Sequence, residues 1–109
     1  MKKLNGRTGI EVLRCAQALD ADGMVSMKNR MNRLMNKNRK KVVFDLSRTS
    51  SADLAGLGIL VERVRALRSV KGDIKFCNVR PELNETLQLV GLNGLIESYP
   101  SCEAAINSF

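Results

Sequence analysis

Residues 42–60 read VVFDLSRTSSADLAGLGIL, an apolar run, a polar loop and then a second apolar stretch that contains two glycines. The first run, taken as 41–47, is compact and follows a charged turn, which is typical of a central strand. From about Leu54 the apolar residues recur at helical spacing, so a helix is predicted to run to about Val70. A strand followed by a long helix indicates an α/β fold.

The rest of the chain alternates in the same way. Short apolar runs predict further strands, and amphipathic stretches after a cap residue or a proline predict further helices. Asp22 is the predicted cap of the first helix. The predicted strands are 9–16, 41–47, 73–79 and 95–99. The predicted helices begin at about Gly23, Leu54 and Pro81 and, for the last one, after the cap residue Ser101.

No internal repeat or linker is evident in the sequence, so we predict a single domain over residues 1–109. Strands that alternate with helices at this spacing predict an α/β domain with a mixed, mainly parallel sheet of about four strands and about four helices. Residues 1–8 are predicted to form a flexible N-terminal tail.

The composition is that of a globular protein, with 44% hydrophobic and 27% charged residues. No apolar run is long enough to span a bilayer, so no membrane span is expected. The N-terminal MKKLNGRTG has no apolar segment behind its basic residues and is therefore not a signal peptide. Together these features predict a cytoplasmic protein.

The three cysteines, Cys15, Cys77 and Cys102, are widely spaced among apolar neighbours, and the chain has no histidine. Neither a C-x-x-C pair nor a Cys–His nucleophile pair is present in the sequence. We therefore expect buried thiols in a reducing compartment, with no metal and no cofactor.

The sequence favours a binding role over catalysis. Gly56-Leu57-Gly58 matches neither G-x-G-x-x-G nor G-x-x-x-x-G-K-[ST]. A glycine inside a helix costs about 1 kcal/mol relative to alanine, so close packing, within the domain or against a partner, explains the two glycines better. Ser50 and Ser51 have no histidine to activate them. Asp45 and Asp53 could pair in principle, but carboxylates after a strand are often loop or cap residues.

The net charge of +7 comes entirely from the first 41 residues, where eleven Lys and Arg face three acidic residues. Clustered cations attract phosphate, so one hypothesis is binding to nucleic acid or to an anionic surface through residues 24–41. Aromatic residues make up only 4% of the chain, which disfavours stacking on single strands. A solvated helix face is the commoner meaning of such a charge run. The cations concerned are Lys28, Arg30, Arg33, Lys37, Arg39, Lys40 and Lys41.

Five stretches, in order and at matching spacing, resemble the STAS domain, the fold of bacterial anti-sigma factor antagonists. Each stretch alone is a weak signal, but together they cover nearly the whole chain. In particular, DLAGLGIL is similar to the family's Asp-Ser-Ser-Gly-Leu-Gly signature. The five are ALD (18–20), VVFDLS (42–47), DLAGLGIL (53–60), VRPELNETLQLVGL (79–92) and YPSCEAAI (99–106).

The resemblance implies a binding module without catalysis. In the family, the helix that follows the signature docks by its start onto a switch-type serine kinase that also acts as an anti-sigma factor. Phosphorylation of the second signature serine releases the kinase, because a dianionic group enters a close contact. The resemblance places the partner contact at Asp20, Asp53, Leu54, Ala55, Gly56 and Leu57.

The chain departs from the signature at the two serines, which are Leu54 and Ala55 here. Ala55 occupies the phosphoacceptor position and has no hydroxyl, so phosphorylation at this position is not expected. Thr49, Ser50 or Ser51 could serve as a displaced acceptor, although an ordinary polar loop is the favoured interpretation. The alternative function is a STAS accessory or scaffold subunit, with a transporter ATPase or a scaffold protein as its partner.

Overall fold

The computed structural model describes residues 9–109, so the predicted tail at 1–8 lies outside the described residues. Strands and helices alternate along the chain. They are β1 (Ile10–Arg14), β2 (Ala18–Leu19), α1 (Ala21–Asn36), β3 (Lys41–Asp45), β4 (Ser51–Ala52), α2 (Leu54–Ser69), β5 (Asp73–Cys77), α3 (Pro81–Leu89), β6 (Ser98–Tyr99) and α4 (Cys102–Asn107).

The main sheet has four strands in the order β1-β3-β5-β6, and all of its pairings are parallel. This confirms the predicted α/β domain with four sheet strands and, within residues 9–109, four helices. The sequence did not predict β2 and β4, which form a separate two-stranded parallel ladder. Two-residue strands are too short to produce a periodic pattern.

The sheet separates two apolar layers. Val42 and Phe44 face the larger layer, where they pack with the methionines of α1 and with residues of α2 and α3, whereas Val43 between them faces a smaller layer under α4. This alternation follows from the two-residue period of a strand. The methionine stripe of α1 is therefore core, with Met24 and Met31 fully buried.

The cap of α1 differs from the prediction. Asp20, and not Asp22, is the N-cap: its backbone is extended, and its carboxylate accepts a hydrogen bond from the backbone N–H of Gly23 at 2.8 Å. Asp22 lies in the first turn, where a negative charge favours the helix dipole. The helix accordingly begins at Ala21, two residues before the predicted start.

The structure contains a repeat of secondary structure that is not evident in the sequence. A first unit, residues 10–36, and a second unit, residues 41–69, each consist of a five-residue strand, a loop, a two-residue strand and a 16-residue helix. The two units lie side by side, with β1 against β3 and β2 against β4. Their sequences differ at most positions, so the repeat is not visible by inspection.

Three buried thiols were expected, but the structure has one free thiol and one disulfide. Cys15 is free and buried. Cys77 ends β5 and Cys102 begins α4, and the two residues form a disulfide with their Cα atoms 5.2 Å apart. This separation lies within the usual range for a disulfide. Each described helix falls short of what a bilayer crossing requires in length or apolarity.

Candidate partner-binding site

The β2–β4 ladder brings two helix starts together. Ala18 pairs with Ser51 and Leu19 pairs with Ala52, so the chain leaves both short strands at the same end. The backbone N–H of Asp53 donates to the carbonyl of Leu19 at 3.3 Å. Asp20 and Asp53, both predicted contact residues, therefore follow adjacent strands and cap adjacent helices.

Each of these aspartates caps the helix that follows it. Asp20 accepts from the N–H of Gly23, and Asp53 accepts from the N–H of Gly56, both at 2.8 Å. A carboxylate at this position satisfies a backbone donor that the helix leaves unpaired and favours the positive end of the helix dipole. Both side chains thus fix the direction in which their helices leave the ladder.

The outer side of the α2 start is exposed. The side chain of Leu54 is 76% exposed, and Ala55 and Gly58 are exposed as well. A Cβ atom added at Gly58 would have nothing within 4 Å, so packing inside this domain does not require that glycine. The result is a short, uncharged surface of small side chains beside one protruding leucine.

The predicted contact surface needs correction at Gly56 and Leu57, because both are buried within the domain. Leu57 belongs to the large apolar layer. A Cβ atom at Gly56 would lie 2.0 Å from the carbonyl oxygen of Leu19 and 2.8 Å from the carbonyl carbon of Asp20. The close backbone approach expected of this glycine is therefore made by the chain itself and not by a partner.

Of the three displaced phosphoacceptor candidates, Thr49 is contradicted by the structure. Thr49 is fully buried, and its hydroxyl donates to the carbonyl of Ala16 at 2.6 Å. A kinase cannot reach this hydroxyl without local unfolding. Ser50 and Ser51 are exposed, and the backbone N–H of Ser50 donates to the carbonyl of Gln17 at 3.0 Å.

Two of the seven basic residues of 24–41 pair with carboxylates of the same domain. Lys28 lies 3.9 Å from Glu62 of α2, and Arg39 pairs with Glu11 of β1. The guanidinium of Arg30 lies 3.7 Å from the sulfur of Met27. Because carboxylates of the same domain neutralise part of this charge, the structure weakens the case for a continuous anion-binding helix.

Asp45 does not pair with Asp53. Its carboxylate accepts from the backbone N–H of Ser47 at 3.1 Å and from the side-chain amide of Asn78 at 3.2 Å, and it lies 3.7 Å from Arg14. Burial alone would raise the pKa of Asp45, but these hydrogen bonds and the charge of Arg14 outweigh it and hold the pKa below its usual value.

Asp45, Cys77 and Cys102 bring three groups of metal-ligand type within 4.8 Å of one another. The two sulfurs are bonded to each other, and the carboxylate of Asp45 has its own hydrogen-bond partners. In this arrangement the three groups do not offer free ligand atoms to a metal ion.

Sequence reasoning missed the surface on which α2 rests, namely the backbone of Leu19 and Asp20. Backbone groups carry no side-chain pattern and so give no direct signal. An indirect signal is present: ALDADG (18–23) and SADLAG (51–56) both place a glycine three residues after an aspartate. In each case the glycine N–H is the donor to the aspartate cap.

The sequence matches the STAS domain family over residues 1–105, so this chain belongs to the STAS domain family. A relative from Bordetella bronchiseptica, named "Putative anti-sigma factor antagonist BtrV", is 29% identical over 75 residues, which are 69% of this chain and 65% of the relative. The match thus spans slightly less than two thirds of the relative's length. The resemblance to anti-sigma factor antagonists is confirmed.

Two solved structures share the fold. The crystal structure of "a putative anti-sigma factor antagonist" from Thermotoga maritima has a TM-score of 0.79 at 18% identity and covers 93% of this chain and 87% of its own. A sulfate transporter family protein from Wolinella succinogenes has a TM-score of 0.81 at 13% identity, with 93% and 84% covered. At these identities the likeness extends to the fold alone.

Proposed function

We propose that this chain is a non-catalytic regulator in the cytoplasm that binds a switch-type serine kinase acting as an anti-sigma factor. The contact is the partner-binding site, defined as Asp20, Asp53, Leu54 and Ala55. Gly56 and Leu57 support this site from inside the domain. Binding removes the kinase from a sigma factor, and no phosphorylation at the usual position reverses it.

The observation that carries this proposal is the exposed start of α2. Leu54 is 76% exposed next to Ala55, while Asp53 holds the first turn in place through its hydrogen bond to Gly56. Burying a leucine side chain in an interface is worth roughly 1.5–3 kcal/mol. A rigid turn with small side chains also lets a partner approach closely at little entropic cost.

Ala55 makes the contact permanent in this proposal. A phosphoserine carries about two negative charges at neutral pH and would be disruptive in a close contact that already contains the carboxylates of Asp20 and Asp53. Alanine cannot receive that group, so the kinase that is bound cannot release itself by modifying this residue. Control of the complex must then come from another step, such as the nucleotide state of the kinase.

The test is binding to the switch-type kinase recovered from the cells of origin by affinity capture with the tagged chain. Binding of the purified kinase to wild type and to Ala55→Glu is then compared by calorimetry. We expect the glutamate to weaken binding at least about tenfold, because a charge is buried without a partner. Gln88→Glu adds the same charge on exposed α3 and should change affinity less than about twofold. Equal affinity of Ala55→Glu and wild type contradicts the placement.

A gain-of-function variant tests the missing phosphorylation separately. With ATP, the kinase should phosphorylate Ala55→Ser and leave the wild-type chain unmodified. Mass spectrometry of both chains locates the phosphate. Phosphate on Ser50 or Ser51 of the wild-type chain would instead show that the acceptor is displaced.

The second candidate function is an accessory or scaffold subunit. The absence of a hydroxyl at Ala55 favours it equally, because a structural contact needs no release. Affinity capture distinguishes the two, since recovery of a transporter ATPase or a scaffold protein in place of a kinase supports the accessory role. Binding to nucleic acid is a third hypothesis, and affinity that falls steeply with salt concentration would support it.

A further inference from the structure

A cleft of about 800 Å³ lies at the carboxyl edge of the main sheet. Residues that end or follow β1, β3 and β5 form one side, and residues 23–30 of α1 form the other. Ligands of parallel α/β sheets bind outside the carboxyl ends of the strands. The volume lies within the range of roughly 300–1,000 Å³ that is usual for small-molecule sites.

Four arginines line this cleft, namely Arg14, Arg30, Arg48 and Arg80, and none of the lining residues is acidic. They come from four separate segments: the end of β1, the middle of α1, the β3–β4 loop and the connection before α3. Like charges that converge from different segments repel one another unless an opposite charge compensates them. The fold thus assembles a cationic site that no single stretch of sequence reveals.

Carboxylates outside the lining neutralise only two of the four arginines. Arg14 lies 3.7 Å from Asp45, and Arg80 lies 3.1 Å from Glu82. Across residues 9–109, the ion pairs include neither Arg30 nor Arg48. The cleft therefore presents two guanidinium groups without a carboxylate partner.

The other lining residues have two kinds of chemistry. Ser26 and Ser47 supply hydroxyl groups, and Ala16 and Gln17 add exposed uncharged surface. A guanidinium is a planar donor that matches the oxygens of a phosphate in a bidentate arrangement. The lining accordingly suits a molecule with an anionic head and an uncharged body.

We propose that this cleft binds a small organic phosphomonoester. Arg30 and Arg48 hold the dianionic phosphate with help from the serine hydroxyls, and the body of the ligand packs against Ala16 and Gln17. None of the residues of the partner-binding site lines the cleft. Ligand binding here and kinase binding at the start of α2 are therefore separable activities, and loss of either leaves the other in place.

The test uses phenyl phosphate and inorganic phosphate as probes, titrated at constant ionic strength while backbone amide shifts are recorded by NMR. Phenyl phosphate should bind saturably, with its largest shifts around Ser26, Ser47 and Arg48. Inorganic phosphate should bind several-fold more weakly, because it lacks a body to contact Ala16 and Gln17. Equal affinity of the two probes, or shifts that do not saturate, overturns the proposal.

The variants separate a defined site from general attraction to a basic protein. Arg30→Gln combined with Arg48→Gln should weaken phenyl phosphate binding at least about tenfold, because two charge-assisted contacts are lost. Arg33→Gln removes a single arginine one turn along α1, outside the cleft, and should change affinity less than about twofold, whereas Arg30→Gln alone should already weaken binding more than Arg33→Gln does. Thermal unfolding confirms that each variant is folded. An equal loss in Arg33→Gln overturns the proposal.

Two further probes identify the source of the phosphate. Vesicles of phosphatidylcholine with phosphatidic acid present the group on a membrane, and a single-stranded DNA oligonucleotide presents it on a nucleic acid. A small-molecule site predicts that neither competes with phenyl phosphate at equal phosphate concentration. Binding of either one through Arg30 and Arg48, without binding of phenyl phosphate, overturns the proposal in favour of that surface.

Discussion

The first and second units follow one plan but use their helix starts differently. In the first unit, Gly23 packs against the carbonyl of Ala18 in its own short strand. In the second unit, Gly56 packs against Leu19 and Asp20, which belong to the first unit. The second helix start therefore rests on the first, and its outer residues are left exposed. The same order of strands and helix can thus give one helix start, that of α1, on which the other rests, and a second, that of α2, whose outer residues are exposed.

The strongest test of this difference is Gly56→Ala. The added methyl would lie 2.0 Å from the carbonyl oxygen of Leu19, and backbone cannot rotate away as a side chain can. We expect the free energy of unfolding to fall by more than about 3 kcal/mol, or the chain not to fold at all. Urea unfolding followed by circular dichroism measures this change.

Gly58→Ala is the matched control, because it lies in the same helix and a Cβ atom there meets nothing within 4 Å. This variant should gain roughly 0.5–1 kcal/mol from the better helix propensity of alanine. If Gly56→Ala loses less than about 1 kcal/mol, α2 does not rest on the first unit as closely as described.

Gly23→Ala should cost less than Gly56→Ala, because the contact is longer and lies within one unit. The methyl would lie 2.7 Å from the carbonyl oxygen of Ala18 and 3.1 Å from the carboxylate of Asp20, a side chain that can shift. We expect a loss of about 1–2 kcal/mol after the gain in helix propensity. Measured in the same urea series, a cost equal to that of Gly56→Ala would remove the distinction between the two starts.

The two units also differ in the residue that directly follows the first strand of each. Cys15 follows β1 as Leu46 follows β3, and each donates its backbone N–H to the end of the neighbouring strand at 3.0 Å. Burial raises the pKa of the Cys15 thiol from 9.0 to about 12, with a smaller lowering by Arg30 and a raising by Asp45. Leu46 does not titrate, so this pH response belongs to the first unit alone.

The folded-state pKa of Cys15 is raised, so its contribution to stability is complete below pH 9 and is lost as the pH rises towards 12. In that window the unfolded chain releases a proton that the folded chain retains. Relative to Cys15→Ala, wild type should lose about 1.4 kcal/mol of unfolding free energy per pH unit. Cys77 and Cys102 are disulfide-bonded and do not contribute. Parallel pH profiles of the two proteins would contradict a buried thiol.

These contrasts show where sequence reasoning succeeds and where it stops. The apolar runs that became β3 and β5 and the helical spacing of α2 are local patterns, and they predicted the α/β fold. The ladder of β2 and β4 is held by backbone hydrogen bonds between residues that are distant in sequence, so no local sequence pattern predicts it. Ala55 was recognised from its place in the signature, whereas the burial of Gly56 and Thr49 follows from contacts with the first unit.

The same limit applies to groups that converge in space. The four arginines of the cleft come from four segments, and Cys77 meets Cys102 only because α4 begins beside the end of β5. Sequence showed the individual residues but not their assembly. The Asp-x-x-Gly pattern at 20–23 and 53–56 was the one local trace of the repeated plan.

The smallest predicted change in the free energy of unfolding comes from variants that remove the charge of a helix cap but keep its hydrogen bond. Asparagine caps a helix about as well as aspartate, so Asp20→Asn and Asp53→Asn remove the charge and keep the cap. The first turn of α1 retains Asp22, whereas that of α2 has no acidic residue. We therefore expect Asp53→Asn to lose about 0.5–1 kcal/mol and Asp20→Asn to lose about half as much, with the difference shrinking at high salt. Equal losses in urea unfolding would mean that Asp22 does not compensate for Asp20, and the two starts would then be electrostatically alike.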